Sequence, residues 1–152
     1  MAYRCPCGRP AVVETTPRLA DGTPFPTLYY LTCPQAVAAC GRLESAGLMR
    51  EMARRLREDP ELAARYRRAH EDYLSRRAAA GAAAATAAGT TAGPAAGDVP
   101  EIAGVSAGGM PERVKCLHAL LAHALAAGPG VNPFGDETRE LVEPWWTDGP
   151  CV

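Results

Sequence analysis

Cys5, Cys7, Cys33, Cys116 and His118 are the side chains of this sequence best able to hold a metal or attack an electrophile. Thiolates and neutral imidazoles are the donors that zinc and iron–sulfur clusters select. The same two groups, side by side, make a nucleophile and its base. The chain has six cysteines in 152 residues. Its first residues run from Met1-Ala2-Tyr3-Arg4 straight into Cys5-Pro6, without the apolar stretch of an export leader. That combination predicts a cytoplasmic protein with reduced thiols, used for metal or catalysis rather than as a disulfide frame.

The densest chemistry lies in Gly108-Gly109-Met110-Pro111-Glu112-Arg113-Val114-Lys115-Cys116-Leu117-His118. Lys115 is the one lysine among 16 basic residues. In a chain so biased to arginine, a surviving lysine reads as an amine that is needed. One chemistry for this stretch is catalytic, with Cys116 as nucleophile or redox thiol, His118 as general base and Lys115 beside them. Gly108 and Gly109 would let an anion approach the free amides of a helix start, and Arg113 and Lys115 would balance its charge. The G-x-x-x-x-G-K-[ST] order of a phosphate-binding P-loop is absent.

The other chemistry is a metal site. Cys5-Pro6-Cys7-Gly8 looks like a zinc knuckle one residue short. Cys33 precedes Pro34, a residue favoured at the first helical position, so Cys33 is the expected N-cap, where amides and the helix dipole stabilise a thiolate. Cys40 reads as a small core residue. Cys151, next to the terminus, reads as inert.

Positioning these groups requires elements, and the hydropathy pattern supplies them. Ala11–Thr16 and Thr27–Thr32 read as strands, joined across the Asp21-Gly22 turn as an antiparallel pair. A helix follows from Pro34 to near Gly47. Leu48, Met49, Met52 and Leu56 mark a second, and Asp59-Pro60-Glu61 starts a third. His70 borders its apolar face and reads as structural. Between residues 42 and 77 the basic residues are arginines on a mostly solvated helical surface. Residues 80–98, nearly all Ala, Gly and Thr with Pro94, read as a flexible linker interrupting one domain over 1–152. Order returns at Val99–Val105 as a short third strand, and Pro111 then starts a helix with an apolar stripe through Leu125. Asn132-Pro133-Phe134-Gly135 reads as a turn capping a short helix over 137–142. Trp145-Trp146 either packs the tail back or serves as an exposed anchor. The fold class is α+β: a small antiparallel sheet packed against four or five helices.

On a regular helix begun at Pro111, Cys116 and His118 would lie ~160° apart and could not share an ion. One of them would then join cysteines from elsewhere, and the other would pack. His123 is the alternative fourth ligand, or a buried structural histidine. The net charge of −1 and the absence of a long apolar run exclude a nucleic-acid footprint and membrane insertion.

At these residues the chain resembles an actinobacterial-type bacterial family, the domain of unknown function numbered five hundred and one. The shared pattern is the Cys-Pro-x-Gly turn at Cys5 to Gly8, the strand and Cys-Pro from Phe25 to Pro34, the Val-Lys-Cys-Leu-His run at Val114 to His118 and the Asn-Pro-x-Gly turn at Asn132 to Gly135. The resemblance implies that Cys5, Cys33, Cys116 and His118 recur, while Cys7, Cys40 and Cys151 do not stand out. Its gene neighbourhood implies a division-machinery partner. No activity comes with it. The expected site is therefore zinc or an iron–sulfur cluster on Cys5, Cys33, Cys116 and His118. The alternatives are an enzyme or binding site for a small anionic phosphorylated or carboxylate ligand, and an interaction module.

Overall fold

The two β-prone runs pair antiparallel, as their alternation demands. In the computed structural model, which describes residues 1–89, 99–147 and 149–151, the strands are β2 (Pro10–Glu14) and β3 (Tyr29–Leu31). Val12 lies opposite Leu31, and Glu14 opposite Tyr29. A two-residue strand β1 (Tyr3–Arg4) adds to the free edge of β2, giving the order β1-β2-β3. The Cys5–Gly8 turn thus hangs directly from a sheet edge.

Five α-helices follow among the described residues: α1 (Pro34–Ser45), α2 (Leu48–Glu58), α3 (Pro60–Ala87), α4 (Leu117–Ala127) and α5 (Pro133–Val142). The α+β class is as expected. Cys33 is the N-cap of α1, in extended backbone with Pro34 behind it. Asp59 caps α3, its carboxylate accepting from the amides of Glu61 and Leu62. Asn132 does the same for α5 at Gly135. That helix therefore begins at Pro133, not 137.

Helix α4 is the centre of the core. Leu117, Leu120, Leu121, Ala122, His123, Ala124 and Leu125 are all buried, and a helix apolar on every side belongs inside. It packs against β3, α1 and α5. Gly135 permits the last contact, because a Cβ there would run into the Leu120 carbonyl and the Ala124 side chain.

Helix α3 continues through residues 80–87, a helical start to the expected linker, because alanine is the best helix former and carries Gly81 along at modest cost. The rest of the expected linker, 90–98, lies outside the described residues. Three expectations fail here. The expected strand at 99–105 is instead a 3₁₀ turn over Pro100–Ile102. Its carbonyls turn inward to Arg77, which donates to Ile102 O at 3.0 Å, to Val105 O and to Pro26 O at 2.8 Å. Arg77 is thus buried, not part of a solvated face.

The third failure matters most for function. Pro111 follows a cis peptide within a loop, and α4 begins only at Leu117. Gly109 sits at φ +93°, where a Cβ would lie 2.7 Å from the Arg113 carbonyl. The loop folds back on the glycines, with Arg113 N donating to Gly109 O and Lys115 N to Gly108 O, both at 2.8 Å. Among the described residues no helix start stands behind the glycines to offer free amides to an anion, and the Arg113 amide is used internally. No helix among the described residues is long and apolar enough to cross a membrane.

Candidate metal centres

The turn after β1 closes tightly, with Cys5 N donating to Arg9 O and Gly8 N to Cys5 O, both at 2.8 Å. It points the Cys5 sulfur at the N-terminus of α1. There Cys5, Cys33 and Cys151 converge, all buried, with their sulfurs within 4.8 Å of one another. The Cys5 and Cys151 sulfurs are 4.0 Å apart, and every cysteine is a free thiol. Cys7 is exposed at the rim, and its thiol interacts with those of Cys5 and Cys151. The amide of Arg9, first, and the Cys5 thiol lower the Cys7 pKa. Burial raises that of Cys5, against the pull of the Cys7 amide and the Trp145 indole.

The tail supplies the third thiol. Trp145 is wholly buried and meets Trp146 edge to face at 4.9 Å. It packs beside α1, and Gln35 holds the segment after it by donating to Pro150 O at 3.2 Å. The pair is therefore a clasp and not an exposed anchor. The indole N–H of Trp145 has no conventional hydrogen-bond acceptor. Its nearness lowers the Cys5 pKa, against the larger effect of burial.

The expected four-ligand set divides between two places. Cys5 and Cys33 meet, but Cys116 and His118 stand near the far end of α1, beside Glu44. Eleven residues of helix, roughly 16 Å, separate Cys33 from Glu44. No side chain spans that gap, so the chain does not build one site from all four. Cys151, read as inert, takes the place expected of Cys116. Cys40, between the two groups, is core as expected; burial pushes its thiol up to about 12.

Cys116 and His118 nonetheless come together. Cys116 is the extended N-cap of α4 and lies outside the helical wheel. Its sulfur is 4.0 Å from His118 Nδ1. His118 Nδ1 is 3.0 Å from Glu44 Oε1, and Nε2 is 3.1 Å from Val37 O. Glu44 Oε1 also accepts from Leu117 N at 2.8 Å. Cys116 and His118 border a cleft of about 290 Å³ whose other walls include Tyr29, Tyr30 and Gly108. A neighbouring cavity of about 400 Å³ is lined by Gly108, Gly109, Glu112, Arg113 and Lys115. So the four residues expected to bind an anion do share one hollow, although not on a helix tip.

His123 belongs to neither group. It is fully buried, donates from Nε2 to Asp72 at 2.8 Å and accepts at Nδ1 from Asn132 at 3.1 Å. Tyr29 stacks on the ring and Tyr73 meets it edge-on. Burial, first, lowers its pKa against the pull of Asp72. It is the structural histidine, tied to side chains rather than backbone. His70, bonded to Ser106 at 2.8 Å, is structural too. The residues missed from sequence are Glu44 and Cys151. Glu44 carried no distinguishing spacing, and for Cys151 the only signal was the neighbouring tryptophan pair.

A family model described as a protein of unknown function (DUF501) matches residues 1–140. No curated protein and no solved structure matches the chain. Cys151 lies outside the matched residues, as do both tryptophans.

Proposed function

Since the chain belongs to the DUF501 family of proteins of unknown function, which brings no activity with it, we propose that it is a metalloprotein with a sealed thiolate centre. Cys5, Cys33 and Cys151 hold one zinc-class ion, and Cys7 closes the tetrahedron from the rim. The observation that carries this is the convergence of three buried free thiols from three distant segments. Ligands 2.3 Å from a tetrahedral ion lie about 3.8 Å apart. The 4.0 Å between Cys5 and Cys151 sulfurs matches a single ion and favours zinc over an iron–sulfur cluster, which spreads its ligands across several atoms. Such an ion would fasten the N-terminal turn, the start of α1 and the tail together, a structural role in which binding energy becomes folding energy.

Elemental analysis and an absorption spectrum of anaerobically purified protein test this. The expectation is a colourless protein retaining zinc that Cys33→Ser removes. A brown chromophore would replace zinc by an iron–sulfur cluster. Quantitative labelling of all six thiols in native protein, with no metal present, would refute it.

A second reading concerns the 400 Å³ hollow, because Arg113 and Lys115 line it together with two glycines. There a small phosphorylated or carboxylate ligand would bind. A thermal shift with inorganic phosphate that Lys115→Ala abolishes would support this reading, and the absence of any shift across phosphate and dicarboxylates would dismiss it.

A further inference from the structure

We infer that Glu44, Cys116 and His118 form a second, open metal site, distinct from the thiolate centre and facing the Tyr29–Tyr30 cleft. The three donor atoms already lie within 4.8 Å of one another. Their orientation is fixed by groups behind them. Val37 O can only accept, so His118 Nε2 carries a hydrogen and donates to it. Pinning one ring nitrogen to a backbone carbonyl is how proteins set the tautomer of a metal-binding histidine and aim the other nitrogen. Leu117 N–H likewise holds Glu44 Oε1 in place.

With Nε2 protonated, Nδ1 presents its lone pair to Glu44 and to the Cys116 sulfur. A nitrogen lone pair, a carboxylate oxygen and a sulfur within 4.8 Å of one another make a place that welcomes positive charge. A proton supplies it in part, on one edge of the triangle. A divalent ion supplies it on all three. The set of one nitrogen, one sulfur and one oxygen donor suits borderline-soft zinc rather than magnesium or calcium, which take oxygen ligands alone.

Donor type and burial separate this site from the other. Three protein ligands leave a tetrahedral ion one position short, the pattern of sites that keep a water or take a substrate atom. The side chains of Glu44 and His118 are 24% and 28% exposed, whereas Cys5 and Cys33 are sealed at 2% and 1%. The open position has somewhere to face, because Cys116 and His118 border the 290 Å³ cleft. Its walls, which include Tyr29, Tyr30 and Leu31, are of a size and polarity for a small organic molecule carrying an oxygen or nitrogen donor.

Stripping the full chain with chelator and titrating back zinc, with cobalt as a spectroscopic surrogate, tests the assignment. Wild type should take up two equivalents, with cobalt bands of one thiolate-rich site and one single-thiolate site. Glu44→Gln keeps an acceptor for Leu117 N–H, and Cys116→Ser keeps the volume. Each should lose only the weaker equivalent and leave the thiolate-rich bands intact, with unchanged circular dichroism. Cys33→Ser should do the reverse. If only the thiolate reading is wrong, wild type binds one equivalent that Glu44→Gln removes and Cys33→Ser does not. A wild-type protein with a single equivalent sensitive only to Cys33, or a second equivalent indifferent to both Glu44→Gln and Cys116→Ser, overturns the second site. Rapid alkylation of Cys116 that saturating zinc does not slow would also overturn it.

Discussion

Helix α1 carries a cysteine-bearing cluster near each end, and the two differ in what surrounds the sulfur. At its N-terminus three thiols are sealed under a tryptophan and a tail. Near its C-terminus one thiol meets an imidazole and a carboxylate beside an open cleft. Soft donors without solvent suit a fastener, and mixed donors beside a cleft suit chemistry. On the proposed reading the same residue type serves both, and its environment selects the role.

The largest expected effect comes from breaking the sealed end. Cys33→Ser should cost more than ~3 kcal/mol in urea unfolding of metal-loaded protein, because an ion's whole contribution goes with it. Cys40→Ser buries a hydroxyl within α1 outside the three-thiol cluster, and should cost only about 1–3 kcal/mol. Equal losses for the two variants would mean that the sealed thiols are ordinary core.

Next comes the tryptophan. Trp145→Phe keeps an aromatic ring and deletes the buried, unpartnered N–H, whose nearness lowers the Cys5 pKa. Zinc affinity should fall about tenfold, the usual cost of losing a partner behind a ligand. An unchanged affinity, measured by chelator competition, would reduce Trp145 to packing.

The histidines outside both clusters give a smaller and separable effect. Burial lowers the pKa of His123, with Arg76 adding to the effect and Asp72 opposing it, and burial likewise lowers that of His70, with help from Arg67. The unfolded chain therefore binds more protons than the folded one just below the ordinary value of 6.5. Stability on this account is full above that value and is lost as pH falls below it. The urea midpoint of chelator-stripped protein should drop between pH 7.5 and 5.5. His123→Gln should shrink that drop, and an identical pH slope in the variant would contradict it.

The smallest effect belongs to the loop that precedes α4. Arg113→Ala and Lys115→Ala should change stability by no more than ~0.5 kcal/mol while removing any thermal shift produced by phosphate. A large destabilisation would make them structural instead of ligand-binding residues.

Local rules decided much of this protein in advance. Proline at the first helical position loses nothing by its missing amide, and Pro34 after Cys33 and Pro60 after Asp59 both start helices. Alternating β-branched and aromatic residues make the antiparallel pair, and the apolar run from Leu117 to Leu125 makes the buried helix. The family motifs at Cys5, Cys33, Cys116 and His118 were legible as chemistry. Their grouping was not, because which thiols meet depends on how a rigid helix about 18 Å long holds its two ends apart. Pro111 shows the same limit: glycines at positive φ and amides folded back on them outweigh a proline's helical preference. Residue types and starts of elements are written in short windows of sequence. The partners Glu44 and Cys151 were chosen by packing, which brings together residues 73 and 146 positions apart along the chain.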